Sequence, residues 1–360
     1  MNLRSRRTIT TSPKRVIKKP KKTVKAAANG RHAVLARAMV PPPPTPKVDF
    51  NVLRRKLATK LHMDAHVIDT ILTTIMTTMP RVKFDDIIGQ EEAVKAVRER
   101  VVYPALNPEL FKGQKVLKPP RGVLLYGPTG NGKTLLAKAC AAQSHYNFMN
   151  VSASSLISKW VGDSEKLVKL LFECAKEIQP TIVFIDEIDA MLSQRVGAER
   201  EDTRRFKNEF LVHFDGIMCC QDDRVLILGA TNIPQCIDSA ALRRFDLRVF
   251  MGPPSSKARE LILRTILKDI RNNFTEPDIR KVAGLTEGYS ASDLGIIARN
   301  AAWLPLGTIK QSLIPLLQKE EVPEVTVHHF LQIVEKFVPS NSADDVQALK
   351  DWVHQHKSCT

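Results

Sequence analysis

The sequence predicts an α/β fold: a parallel five-stranded sheet with flanking helices, followed by a small all-helical lid domain. Three observations carry this. Between residues 81 and 252, short apolar runs alternate with stretches of helical spacing, the pattern of repeated strand–helix–strand units. A glycine-rich run, Gly127-Pro-Thr-Gly-Asn-Gly-Lys-Thr134, lies between one of those strands and the helix after it. From Pro253 onward the apolar spacing is helical only.

Taken in order, residues 1–48 form a basic arm that ends in a proline-rich linker. They hold 13 Lys or Arg and no Asp or Glu, so of the net charge of +16 the other 312 residues carry only about +3. Such a composition buries too little surface to fold alone. Pro41–Pro46 reads as a stiff polyproline spacer. The cluster Lys14-Arg15-Val-Ile-Lys18-Lys19-Pro-Lys21-Lys22 suits a nucleic acid, a nuclear import receptor or an acidic protein polymer, and equally a solubilising tail. Residues 49–80 form an amphipathic linker region, in which Val67, Ile68, Ile71, Leu72, Ile75 and Met76 share one stripe and Pro80 ends the helix. An isolated helix of that length is marginal, so it should pack on the body that follows.

Residues 81–252 form the large domain. Its strands are expected at Val123–Tyr126, Phe148–Val151, Thr181–Ile185, Val225–Gly229 and Arg248–Met251, with helices between them at Glu91–Val102, Thr134–Gln143, Glu165–Glu177 and Arg204–Phe214. Residues 253–339 form the lid, with helices at Ser256–Ile270, Asp278–Ala283, Ser292–Trp303 and Val327–Phe337. Residues 340–360 add a last helix at Ala343–His354. No apolar run approaches the roughly 18 residues needed to span a bilayer. The cysteines Cys140, Cys174, Cys219, Cys220, Cys236 and Cys359 lack metal-ligand spacing and read as reduced thiols.

The chemistry sits at the carboxyl ends of the strands, where ligands of such sheets bind. Gly127–Thr134 fits the phosphate-loop pattern, placing the large domain among the P-loop NTPases. In this reading Gly127, Pro128, Thr129, Gly130, Asn131, Gly132 and Leu135 line a nucleotide. Lys133 reaches the β- and γ-phosphates and the Thr134 hydroxyl binds Mg2+. The run Ile182-Val-Phe-Ile-Asp186-Glu187 is an apolar strand ending in two carboxylates. Asp186 would hold magnesium through water and Glu187 would polarise the attacking water. Asn232, just past the next strand, would orient that water. Arg243 and Arg244 read either as surface charge or as fingers reaching the γ-phosphate of a neighbouring subunit.

These motifs, in this order, resemble the AAA ATPases. The wording of Val82–Gln90, Ser158–Lys166, Ala241–Phe245 and Gly288–Leu294 resembles the meiotic clade, which contains spastin, katanin, fidgetin and the vacuolar-sorting ATPase. The loop sequence Gly-Asn-Gly-Lys-Thr and Asp-Asp-Arg-Val-Leu at 222–226 resemble the spastin branch in particular. The resemblance covers about residues 65–357 and implies ATP and Mg2+ as cofactors, an ATP-dependent homo-hexamer and sheet order 5-1-4-3-2. It places adenine between 85–89, with Asp86, Ile88 and Gly89, and 288–290. It makes Lys159, Trp160 and Val161 the first pore loop, and Arg200, Arg204 and Arg205 part of the second. Thr129 stands where the family pattern has a second proline, on the side away from the phosphates, and Ala291 stands where glycine is usual. No microtubule-interacting-and-trafficking bundle or membrane hairpin is read before the motor; if those elements recruit substrate in relatives, recruitment here is expected to fall to the basic arm or to another subunit.

The first functional expectation is a hexameric ATPase that threads acidic tubulin tails through its pore and severs microtubules, in the cytoplasm at the cytoskeleton, with a nuclear address open through the basic cluster. Disassembly of endosomal-sorting filaments by the same motor is the second. A nucleic-acid motor tethered by the basic arm is the third, and a catalytically idle interaction protein is the fourth. Intact Lys133, Asp186 and Glu187 argue against the last.

Overall fold

The computed structural model describes residues 49–63, 68, 69, 72, 81–113, 116–153, 164–193, 201–219, 223–309, 318 and 321–356. The first helix, α1 (Phe50–Leu61), is N-capped by Asp49, whose carboxylate accepts from the Asn51 and Val52 N–H groups at 3.0 and 3.3 Å. It buries Leu53 and Leu57, one turn apart. His62 then takes a left-handed conformation (φ 51°) and stops it, so the helical spacing does not run unbroken from Phe50 to Met79. Of the expected stripe, Ile68 and Leu72 are buried, while Val67, Ile71, Ile75 and Met76 lie outside the described residues.

Five strands follow: β1 (Gly122–Tyr126), β2 (Asn147–Ser152), β3 (Thr181–Asp186), β4 (Val225–Thr231) and β5 (Leu247–Phe250). All neighbours pair in parallel, in the order β2-β3-β4-β1-β5, the order expected from the family resemblance. The register sets Tyr126 beside Thr231 and Ser152 beside Asp186, so the carboxyl ends of the strands line one edge. Both faces of the sheet are covered, which is why its strands read as continuous apolar runs. Alternation within each strand still sorts residues to opposite faces. Val123 and Leu125 join Phe148, Phe184 and Leu228 in one core, while Leu124 and Tyr126 join Met149, Val183 and Ile227 in the other.

The first face is closed by α2 (Glu91–Val97, continued by a wider turn over Arg98–Val102) and α3 (Lys133–Ser144). The second is closed by α4 (Ser164–Glu177) and α5 (Glu201–Cys219), where Phe172, Phe206, Phe210 and Phe214 are fully buried. Here α1 packs on α4, and Lys60 bridges Glu173 at 2.5 Å and Glu177 at 3.7 Å. These ion pairs are half exposed and worth little alone, so burial of Leu53 and Leu57 does most of the anchoring.

A short helix, α6 (Ser239–Leu242), precedes β5, and four helices come after it: α7 (Ser256–Leu267), α8 (Glu276–Leu285), α9 (Ala291–Gly307) and α10 (Val327–Lys336). They share a core of Ile262, Leu263, Val282, Leu294, Ile297 and Phe330. Their starts are marked by caps: Ser255 on α7, and capping boxes Thr275/Asp278 on α8 and Ser290/Asp293 on α9. The last helix, α11 (Ala343–His356), returns to the sheet. There Trp352 is buried edge-on against Tyr126, 4.9 Å between ring centroids. Among the described residues no helix is long and apolar enough to cross a membrane.

Candidate nucleotide site

The glycine-rich loop leaves β1 at Gly127 and enters α3 at Lys133, at the strands' carboxyl edge. Two glycines are dictated by space. A Cβ on Gly127 would lie 2.1 Å from the Met251 carbonyl oxygen, and one on Gly130, whose φ is +80°, would lie 2.5 Å from Ser290 Oγ. Any larger residue there would push the loop off β5 or off the start of α9.

Lys133 is buried and donates from Nζ to the carbonyl oxygens of Gly127 and Pro128, at 2.7 and 2.9 Å. Burial pushes its pKa down to about 8, against the opposing attraction of Asp186 and Asp189. Among the described residues its hydrogen bonds go to neutral carbonyls, with Asp186 and Asp189 attracting it without a direct hydrogen bond, and phosphate oxygens would give it direct anionic partners. Asn131 adds a second sign of fit: it is 4 % exposed and neither amide atom has a hydrogen-bond partner among the described residues. The Thr134 hydroxyl donates to Asp186 Oδ2 at 3.1 Å, so the two expected magnesium ligands already meet across α3 and β3. Oxygen donors of this kind suit Mg2+.

The titration of Lys133 gives a prediction with a definite sign. Bound phosphates favour the ammonium, and without them it loses its proton through about 8. Nucleotide affinity should therefore fall as pH rises, by roughly fivefold to tenfold between about pH 7 and about pH 9. Titration of a fluorescent ADP across that range checks it; a flat profile would contradict the buried, depressed ammonium.

Glu187 follows directly, with φ 52°, in the left-handed region that a non-glycine residue seldom adopts. Its N–H donates to Asp186 Oδ1 at 3.0 Å, and its exposed carboxylate has no hydrogen-bond partner among the described residues. The strained turn follows β3 at the carboxyl edge of the sheet and leaves this acid exposed. Asn232 is half-buried at the end of β4, beside Thr231. Thr231 and Asp189 were not singled out from the sequence. The Thr231 hydroxyl donates to Asp189 Oδ1 at 2.6 Å and accepts the Ile233 N–H at 3.0 Å, fixing the turn that carries Asn232. An aspartate two residues after Glu187 was the one available hint.

The expected adenine flank is partly engaged in local structure. Asp86 is exposed and accepts the Lys83 N–H at 2.8 Å, within its own turn. Ile88 packs against the helical core, and Gly89 (φ +77°) lies against α7, where a Cβ would come 2.5 Å from Ala258 Cβ. Leu135 stays exposed on α3.

The two arginines separate. Arg244 grips Asp215 in its own chain, Nε to Oδ1 at 2.6 Å and Nη2 to Oδ2 at 2.5 Å, and donates from Nη1 to the Ala240 carbonyl at 2.7 Å. That pairing holds its pKa above the usual value. Arg243 is exposed and has no ion-pair partner among the described residues. Arg204 and Arg205 are exposed near the start of α5; Lys159, Trp160, Val161 and Arg200 lie outside the described residues.

Comparison with known proteins agrees with this geometry. The family model for the ATPase family associated with various cellular activities (AAA) matches residues 123–253, from β1 to just past β5. Spastin from Gallus gallus is 42% identical over 319 residues, covering 88% of this chain, and spastin from Homo sapiens is 43% identical over 291 residues. The chain spans about half the length of these relatives, 51% and 47% respectively. Among solved structures, the FIGL-1 AAA domain in complex with ADP superposes with a TM-score of 0.75 at 38% identity, covering 83% of this chain and 99% of that one. A katanin structure determined to explain its self-assembly gives 0.69 at 33% identity, covering 81% of this chain and 98% of that one. With 38% identity across 99% of a solved AAA domain, and with a phosphate loop and an acid pair at one edge of a five-stranded sheet, the chain belongs to the AAA ATPases, in their meiotic clade.

Proposed function

We propose that the chain is the ATP-hydrolysing motor of a homo-hexamer that remodels protein assemblies, and that it severs microtubules by drawing acidic tubulin tails through a central pore. The observation that carries the motor reading is the convergence of Lys133, Thr134, Asp186 and Glu187 at one edge of the sheet. Its support on substrate is the similarity to spastin and katanin, together with the polycationic arm.

Lys133 and the loop N–H groups would bind the phosphates, and Thr134 and Asp186 would hold Mg2+, which when bound would supply charge neutralisation for phosphoryl transfer. Glu187 takes a hydrogen bond from the attacking water and Asn232 orients it. Arg243 extends to the γ-phosphate of the adjacent subunit, where such a finger is worth on the order of 10³–10⁵ in rate. The bidentate hold on Arg244 makes it a support for the turn that presents Arg243. Lys159, Trp160 and Val161 grip the extended substrate, and Arg200, Arg204 and Arg205 meet its acids. The site of action is the cytoplasmic microtubule array, with the basic cluster as a second, nuclear address.

Imaging of purified microtubules tests this: ATP-dependent shortening is expected, and a stable hexamer without shortening would sink the severing reading. Stimulation of ATPase activity by filament tails rather than tubulin tails would favour an endosomal-sorting substrate. Steeply salt-dependent stimulation by nucleic acid would favour a nucleic-acid motor instead.

A further inference from the structure

We propose that Asn341 is a positioning residue for the nucleotide loop, holding it through Thr129 from the side away from the phosphates. The Thr129 N–H donates to Asn341 Oδ1 at 2.9 Å, and Asn341 Nδ2 donates back to the Thr129 carbonyl oxygen at 3.1 Å. One side-chain amide thus occupies both backbone groups of one loop residue, fixing its orientation as well as its position. The arrangement depends on what stands at 129. Proline, the residue in the family pattern, has no N–H and would lose the first of the two bonds.

Asn341 has a rigid backing, so it can place the loop rather than follow it. Its neighbour Ser340 donates its hydroxyl and its N–H (3.4 Å) to the carboxylate of Asp293, which is fully buried. Asp293 also accepts the Ser290 N–H at 2.9 Å. From that same cap, Ser292 N–H donates to the Gly130 carbonyl at 3.2 Å. Just upstream, the Tyr289 hydroxyl donates to the Phe337 carbonyl at 2.8 Å. Just downstream, Ser342 and Asp345 cap α11, whose Leu349 and Trp352 are buried. Two consecutive loop residues, Thr129 and Gly130, are therefore gripped by one hydrogen-bonded unit built from the starts of α9 and α11.

The inference rests on reading Gly127–Thr134 as the nucleotide loop. A loop already ordered gives up less freedom when phosphates arrive, so the latch raises affinity without touching the ligand. Both bonds face solvent, and exposed neutral hydrogen bonds are modest. The expected effect of losing them is a rise in Kd of about threefold to tenfold.

The test titrates a fluorescent ADP into the full chain and into Asn341→Ala, Thr129→Pro and the double variant. Each single change should raise Kd by that factor. The double variant should bind no worse than the weaker single one, because the two changes break the same latch. An unchanged Kd in Asn341→Ala overturns the proposal. So does a loss of the same factor in the Thr129→Pro background, since Asn341 would then be acting elsewhere. Failure of the unaltered chain to take up ADP would remove the nucleotide site and the latch together; normal uptake with unmoved variants removes the latch alone.

Discussion

Glu187→Gln is expected to bind ATP, to lose hydrolysis by on the order of 10²–10³-fold, and to hold the hexamer together. The amide has nearly the shape of the acid but cannot accept a proton from the attacking water. Among the described residues no hydrogen bond or ion pair uses the charge: the side chain is exposed, and the contact that fixes the turn is the Glu187 N–H on Asp186 Oδ1, made by the backbone. Phosphate release and light scattering read the two halves of this prediction. Rapid turnover by the variant would contradict the role given to Glu187. Collapse of the fold would mean the carboxylate has a structural partner.

Lys133→Ala is expected to weaken nucleotide binding by at least about a hundredfold, since charge-assisted hydrogen bonds to phosphate are among the strong ones. Its effect on the nucleotide-free protein should run the other way. A lysine whose folded pKa is lowered from 10.5 to about 8 destabilises the fold while charged, and that penalty fades as pH climbs from about 8 toward the unfolded value. Wild-type stability should therefore rise over that window and the Ala variant's should not. Isothermal titration and thermal melts against pH check both. A variant that keeps ATP affinity would remove Lys133 from the site.

The fold was legible wherever a single local signal decided it. Mainly apolar runs of four or five residues marked all five strands, because a sheet covered on both faces leaves little polar alternation to confuse them. The loop and the acid pair were legible because phosphate binding constrains adjacent residues. What escaped were contacts between distant parts of the chain. Arg244 and Arg243 are neighbours in sequence and look alike there; only Asp215, 29 residues before Arg244, distinguishes them. The Thr231–Asp189 bond spans 42 residues and the Thr129–Asn341 latch spans 212, and no periodicity reports such pairings. The end of α1 was hidden for another reason. His62 stops the helix in a left-handed conformation that sequence usually signals with glycine, while the apolar spacing continues past it.

The central claim is that ATP is hydrolysed at the seam between protomers, with Glu187 supplied by one subunit and Arg243 by the next. Mixing Glu187→Gln subunits with Arg243→Ala subunits tests it most directly, since each variant alone should be inactive. In an equal mixture about a quarter of the seams would pair an intact Glu187 with an intact Arg243, so roughly a quarter of wild-type ATPase activity should return. A mixture no more active than its separate components would contradict the account.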